Sequence, residues 1–394
     1  MKKTILFASL LGILSACSSI EEPQVNENGN HEGQSETFVS LEDALQKLQP
    51  FMNEINLHQT RSLPQSLSSV ETIQRVVTRS DSEDSILYYI VNFGNDEGFA
   101  ILSADNRLLP VYAFSNEGSI SLNDTTEDKI LDSYIKSLPR NPEVNPLVIT
   151  DPIQNYGYER LVAPFIPTGM RPLSQKTPFN SYTPSCSNSI GSNGHYFTGC
   201  APVAMTAFMA CYQYPTTING TTINWNAIRT SCSPSDVISL QSAFCNSKYL
   251  GLTYDPSDGG ASCSSEKIIS AFNKLGYSSS VETDFNSTDI VNILKTKKPV
   301  FLIGKNTSAG HAWVLDGLFA YYTTSLSPIV GAPNIKTYTN YYYHCFWGWA
   351  GSHNGYFAFS NGMGYDPVKT ESYEDGERSP YFFNKVTYLK NLSH

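Results

Sequence analysis

Two side chains in this 394-residue sequence have the chemistry of a nucleophile and its base: Cys200 and, over a hundred residues later, His311. Cys200 lies in Thr198-Gly199-Cys200-Ala201-Pro202-Val203-Ala204-Met205-Thr206-Ala207-Phe208. Ala201, Ala204, Ala207, Phe208 and Cys211 recur at spacings of three and four, so a buried helix is expected. Pro202 suits its first turn, where a missing N–H leaves no bond unmade. Cys200 then sits where loop becomes helix. Unpaired N–H groups and the helix dipole favour a thiolate there, the form of cysteine that attacks. The same stretch also fits an unreactive thiol at the head of a core helix, because free cysteine behaves as a small hydrophobe. His311 opens Gly310-His311-Ala312-Trp313-Val314-Leu315-Asp316-Gly317. The alternation reads as a strand, with Ala312 and Val314 on the face opposite His311. A lone histidine in such a place can equally be structural.

Two further stretches could serve the same chemistry. Gln175, in Leu173-Ser174-Gln175-Lys176-Thr177-Pro178-Phe179-Asn180, precedes Cys200 by 25 residues. Its amide can donate to a developing oxyanion beside the N–H of Cys200 itself. Taken alone it is a loop residue. Downstream, Tyr341-Tyr342-Tyr343-His344-Cys345-Phe346-Trp347-Gly348-Trp349-Ala350-Gly351 and Gly355–Phe359 read as an aromatic hairpin turning at Asn354-Gly355. Trp347 there is either a cover that keeps water from His311 or a plain core aromatic. Ser264–Leu275 and Asp289–Leu294 are expected helices, and Pro299–Gly304 a buried strand, supporting these segments.

The chain as a whole is globular in composition, 40% hydrophobic, with 16% charged residues against roughly 25% in average domains. Its length favours two domains. A net charge of −10 argues against nucleic acid or an anionic membrane surface as a partner. Lys2 and Lys3 precede a short apolar run, Thr4 to Ala16, too short to span a bilayer but long enough for a signal peptide. The run ends Leu14-Ser15-Ala16-Cys17, which resembles the bacterial lipoprotein box. The resemblance implies a signal over 1–16 and lipidation of Cys17, so that the membrane is a partner through buried acyl CH₂ groups. Residues 17–37 read as a polar, disordered tether. Glu21 and Glu22 resemble the acidic export signals of Bacteroidetes lipoproteins, implying an outer-membrane or cell-surface location.

Residues 38–155 are expected to form a first α+β domain without catalytic clusters. Ser40-Leu41-Glu42-Asp43 opens a helix with an apolar stripe, and Pro50 is expected to disturb its end. Ile86–Phe93, Gly98–Ala104 and Pro110–Phe114 read as an antiparallel meander, followed by a helix near Thr126–Leu138. Residues 140–160 are Pro- and Asn-rich and suit a linker open to cleavage. Tyr89–Phe93, Gly98–Asp105 and Val111–Ser115 resemble the propeptide of the streptopain family of cysteine proteases.

The second domain, 156–394, carries the chemistry, and its motifs resemble the same family in the same order. They are Gln175-x-x-Pro178-Phe179-Asn180, Thr198-Gly199-Cys200, Gly310-His311-Ala312, Asp316-Gly317 and Trp347-Gly348-Trp349-x-Gly351. The resemblance implies a papain-like α+β fold, with a helical part headed by Cys200 against an antiparallel sheet bearing His311. It implies a zymogen whose own propeptide masks the site, and protein or peptide substrates. Cys200 and His311 would be catalytic, Gln175 and the Cys200 N–H would hold the oxyanion, and Gly199 and Trp347 would support them. No cofactor and no metal is implied. His195, in a Gly/Ser/Asn loop, is expected to be exposed, and His344 and His353 lack a second ligand at zinc-like spacing.

One position departs from the family. Phe346 stands where an Asn usually orients the histidine, and Phe cannot accept the ring N–H. Asp316, Asn340 and Asn354 are neighbours in sequence that could take over. The departure keeps two other readings open, an impaired surface-binding lipoprotein on the same fold and a Cys–His hydrolase of cell-wall peptides. Six other cysteines allow 15 pairings. Local polarity makes Cys186, Cys232, Cys245 and Cys263 the candidates for pairing, and Cys211 and Cys345 reduced core.

Overall fold

A computed structural model of the chain describes residues 37–56, 66–74, 86–94, 96–122, 131, 134–135, 138, 153–305, 310–326, 335–359 and 385–394. The signal and lipidation motif, and most of the helix expected near Thr126–Leu138, lie outside the described residues. Among the described residues no helix is long and apolar enough to cross a membrane.

The N-terminal region begins with helix α1 (Leu41–Asn56), where Ser40 Oγ accepts from the Asp43 N–H at 3.2 Å. Pro50 does not end it, contrary to the sequence expectation; the helix runs one and a half turns further. Pro50 faces solvent, while Phe51, Met52 and Ile55 just beyond it are buried. Burying such side chains contributes roughly 1.5–3 kcal/mol each, enough to offset a proline in the helix interior. Strands β1 (Leu67–Gln74), β2 (Ile86–Phe93), β3 (Phe99–Ser103) and β4 (Val111–Ser115) follow. The last three form the expected antiparallel meander; β1 was not expected.

Strand β5 (Ile153–Val162) occupies residues expected to be linker. Then come α2 (Cys200–Tyr212), a small hairpin of β6 (Thr217–Ile218) and β7 (Thr221–Thr222), α3 (Trp225–Ser231) and α4 (Pro234–Cys245). A second small hairpin, β8 (Thr253–Tyr254) and β9 (Ala261–Ser262), leads into α5 (Ser265–Lys274). Next are β10 (Val281–Asp284), α6 (Ser287–Lys295), β11 (Val300–Lys305), β12 (Gly310–Leu326), β13 (Ile335–Phe346), β14 (Gly355–Ala358) and β15 (Lys385–Lys390).

One sheet joins the two halves of the chain. Its order is β1-β2-β3-β4-β14-β13-β12-β11-β15-β10, with β5 also paired to β12. The joint is antiparallel: Gly355 faces Ser115, Tyr356 faces Phe114 and Phe357 faces Ala113. Tyr342 Oη donates to the Val111 carbonyl at 2.7 Å across it.

Two apolar clusters cover the two faces of this sheet, and strand alternation decides which residue joins which. Ala312, Val314 and Phe346 point to the cluster formed with α2 to α5. Trp313, Leu315 and Trp347 point to the other, shared with α1, the meander and α6. Helix α2 is buried nearly all round, from Ala201 to Ala210, as a helix at the centre of a core must be. The observed mixture of helices and antiparallel sheet is the α+β class read from the sequence.

Candidate active site

Helix α2 brings Cys200 to its first turn, and the local backbone explains why. Gly199 caps the helix with φ 90°, and a Cβ there would lie 3.1 Å from Ala261. Both the left-handed backbone and the close approach of β9 therefore call for glycine. Three other helices of this half carry side-chain caps, Asn224, Ser264 and Asn286 each accepting an N–H from the first turn, whereas α4 begins at Ser233 and Pro234 without one. At α2 no side chain does so. Its first N–H groups are left to the thiol. Burial pushes the Cys200 thiol up from its ordinary value, and the N–H groups of Ala312, Ala201 and Cys200 pull it back. Thr198, fully buried, donates its N–H to the Gln175 carbonyl at 3.0 Å. Gln175 is thereby carried beside the loop that ends in Cys200, half-buried itself.

His311 opens β12 opposite Gly304 of β11. It is 5% exposed and lies among tryptophans, its ring centroid 6.0 Å from Trp313, 6.3 Å from Trp347 and 5.4 Å from Trp349. This is the sheet face away from Ala312. Cys200 packs against the cluster on the Ala312 face, and its thiol meets the Ala312 N–H. The two side chains thus sit next to the same strand but across it, and among the described residues no hydrogen bond joins them. His311 Nε2 makes no hydrogen bond within the described residues. Burial lowers the His311 ring from the ordinary 6.5 to about 3, opposed by a hydrogen bond to the Trp347 carbonyl. In this arrangement thiol and imidazole are both neutral.

The residue that replaces the family's Asn has a plain structural reason. Phe346 pairs with Val314 and is 4% exposed in the α2 cluster, so its site is apolar. The ring partner is instead a backbone group, the carbonyl of Trp347. None of the neighbours considered from sequence takes that place. Asp316 binds His344, with Oδ1 2.5 Å from Nδ1. Asn354 Oδ1 accepts the Trp347 N–H at 2.9 Å, so it holds the loop and not the ring. Asn340 lies in the outer half of β13, opposite Tyr321. Trp347 itself is 3% exposed and stacks on Trp349 at 5.4 Å.

The connection from β13 to β14 is an eight-residue loop, 347–354, where a tight turn at Asn354-Gly355 was expected. Gly348, Ala350, Gly351 and His353 all adopt positive φ, which folds the loop compactly. The N-terminal region grips it. Ser115 Oγ donates to the Asn354 carbonyl at 2.8 Å, His353 Nε2 pairs with the Ser119 carbonyl at 2.7 Å, and the His353 N–H donates to the Glu117 carbonyl at 3.3 Å. His353 is therefore a structural contact and not an isolated ligand.

The remaining candidates resolve similarly. His195 is half-buried, with Nδ1 2.7 Å from the Thr183 carbonyl, and is not the exposed residue expected. Cys186, Cys232, Cys245 and Cys263, the pairing candidates, are free thiols, as are Cys200, Cys211 and Cys345. Cys232 and Cys245 sit in the apolar cluster, a place that local polarity did not reveal. Among the described residues no three His, Cys, Asp or Glu side chains converge as a metal site would need.

The buried neutral imidazole has a consequence for acid stability. Below pH 6.5 the unfolded chain takes up a proton that folded His311 refuses, so stability falls as the pH drops from about 6.5 toward 3. At 1.36 kcal/mol per pH unit the loss at pH 5 is about 2 kcal/mol. Urea midpoints at pH 7 and pH 5 should converge in His311→Gln relative to the parent. An identical pH slope in both proteins would show that His311 is not held neutral.

A family model described as Spi protease inhibitor matches residues 36–138, and the Peptidase C10 family model matches 173–250 and 222–357. The thiol protease/hemagglutinin PrtT of Porphyromonas gingivalis is 24% identical over 71% of this chain, which spans 35% of that longer protein. Streptopain of Streptococcus pyogenes is 23% identical, with 68% of this chain and 73% of streptopain covered. The solved fragment of Prevotella intermedia prointerpain A superimposes with a TM-score of 0.50 at 14% identity, covering 81% of this chain and 98% of that one. It shows the same fold. With an inhibitor-type domain leading into a C10-type region that holds the thiol-bearing helix and the histidine strand, the chain is similar in both parts to the streptopain-type cysteine proteases with a propeptide.

Proposed function

We propose that the protein hydrolyses peptide bonds of proteins through Cys200 and His311 and is made as a latent precursor. The observation that carries the reading is the head of α2: a thiol with uncapped helix N–H groups around it and Gln175 tied alongside. His311 takes the thiol proton, the thiolate attacks the carbonyl carbon, and Gln175 with the Cys200 N–H holds the oxyanion. His311 then gives the proton to the leaving amine, and water releases the acyl group. For this His311 must turn from its tryptophan cage toward the Ala312 side, where desolvation no longer keeps both partners neutral. The grip of Ser115, Ser119 and the Glu117 carbonyl on loop 347–354 supports latency, because that loop supplies the carbonyl and the two tryptophans that hold the ring. Cleavage of the propeptide would free the loop. Processed protein should hydrolyse casein and take up iodoacetamide at Cys200; a folded, processed protein that does neither would sink the reading. The buried, apolar place of Phe346 and the Trp347 carbonyl remove the need for an Asn, which favours a working enzyme over an impaired one.

The protein is further proposed to be exported and anchored through a lipid on Cys17, on the strength of Leu14-Ser15-Ala16-Cys17 behind a basic and apolar lead. Cells grown with an alkyne fatty acid should label the parent and not Cys17→Ser. Equal labelling of both would place any lipid elsewhere.

A further inference from the structure

Asp316 is a buried carboxylate, 1% exposed, that no step of the reaction uses. The β12–β13 register slips between Leu315 and Gly317, so Asp316 stands at a bulge in the strand that His311 opens. Its Oδ2 accepts the Phe165 N–H at 3.0 Å and the Ile166 N–H at 2.7 Å. Its Oδ1 meets His344 Nδ1 at 2.5 Å. Three donors from two other segments thus satisfy one carboxylate, which is what keeps a buried charge tolerable. Gly317 shows how closely these segments approach. A Cβ there would lie 2.8 Å from the His344 Cβ and 3.2 Å from Pro164.

Each tied segment leads to a different part of the proposed site. Strand β12 carries His311 five residues before Asp316. Strand β13 carries His344 three residues before Trp347, whose carbonyl faces the His311 ring. Phe165 and Ile166 start the stretch that runs through Leu173, in the α2 cluster, to Gln175 beside Thr198. We infer that Asp316 is a positioning residue that fixes the histidine strand, the Trp347 carbonyl and the Gln175 segment relative to one another. It touches no substrate. The inference rests on the roles proposed above for Cys200, His311 and Gln175. Sites built on rigid elements depend on such supporting hydrogen bonds, and a displacement of about 1 Å can cost about 100-fold in rate.

The test compares Asp316→Leu, similar in shape but without an acceptor, with Asp316→Asn, which keeps one oxygen for the two amides. Both are made in the full chain and measured after its own processing, with turnover expressed per alkylatable Cys200. Asp316→Leu should lose kcat by about 100-fold with KM within about twofold. Asp316→Asn should recover most of that loss. A folded Asp316→Leu with parental kcat, or an Asp316→Asn no better than Leu, overturns the inference. Should Asp316→Leu fail to fold, His344→Leu tests the tie to β13, and unchanged kcat there counts against it. If the parent itself cleaves no peptide, the reading of the site falls, and the tie is read from hydrogen exchange of the 164–168 backbone. Exchange should quicken in Asp316→Leu; parental protection would overturn the tie as well.

Discussion

Replacing Cys200 by Ala should abolish casein hydrolysis, by about 10⁴-fold or more, and leave the full-length chain unprocessed. The size follows from the chemistry: no other described group can form the acyl intermediate at the head of α2. The fold should survive. Cys200 is only half-buried, and Ala has high helix propensity, so the change in stability should stay within about 1 kcal/mol. The two readouts are separable. If casein hydrolysis vanishes while the chain is still cut near 140–165 without added protease, the enzyme is right and self-activation is wrong. If hydrolysis persists in a folded Cys200→Ala, another nucleophile acts, and the assignment of the thiol is lost. Retained circular dichroism and thermal midpoint distinguish either result from unfolding.

Which parts of this site could be read from residue types alone depends on the distance over which each is determined. The α2 helix was legible because its apolar spacing and the Gly199 before it are local. The alternation of 311–315 was equally legible, and it put His311 opposite Ala312 as found. What it could not report is which side of β12 the Cys200 thiol would approach, since that depends on packing α2 against a strand a hundred residues later. The Trp347 carbonyl is a backbone group with no letter of its own, so no side chain at 316, 340 or 354 signals it. Loop 347–354 looked like a tight turn because Asn354-Gly355 is a hairpin signal. In fact four residues with positive φ and the Asn354 side chain shape it. The joint of β4 to β14 is the least local feature, and no periodicity in either strand announces its partner. Where Pro50 sits within α1, the packing of Phe51 across the joint overrode a reliable local signal.

That same packing carries the second large effect. Phe51→Ala should speed conversion of the full-length chain by at least tenfold and lower its thermal midpoint. Phe51 is fully buried, and its ring lies 4.6 Å from Phe319, 5.1 Å from Tyr342, 5.3 Å from Tyr158, 5.9 Å from Phe114 and 6.4 Å from Tyr356. Of these only Phe114 belongs to the N-terminal region; the other four are on β5, β12, β13 and β14. A Phe→Ala change in such a core costs about 3–5 kcal/mol, as lost transfer energy plus the cavity left behind. Since most of the contacts cross the joint, most of that cost falls on docking and not on the internal stability of α1. At about 1.4 kcal/mol per factor of ten, even a third of it weakens the hold by about tenfold. The propeptide would then leave loop 347–354 unheld for a larger share of the time, and His311 would be free to turn more often. Conversion rates of parent and Phe51→Ala, followed by gel at equal concentration, measure this. A lowered midpoint with parental conversion would show that the α1 contact supports folding but does not keep the precursor latent.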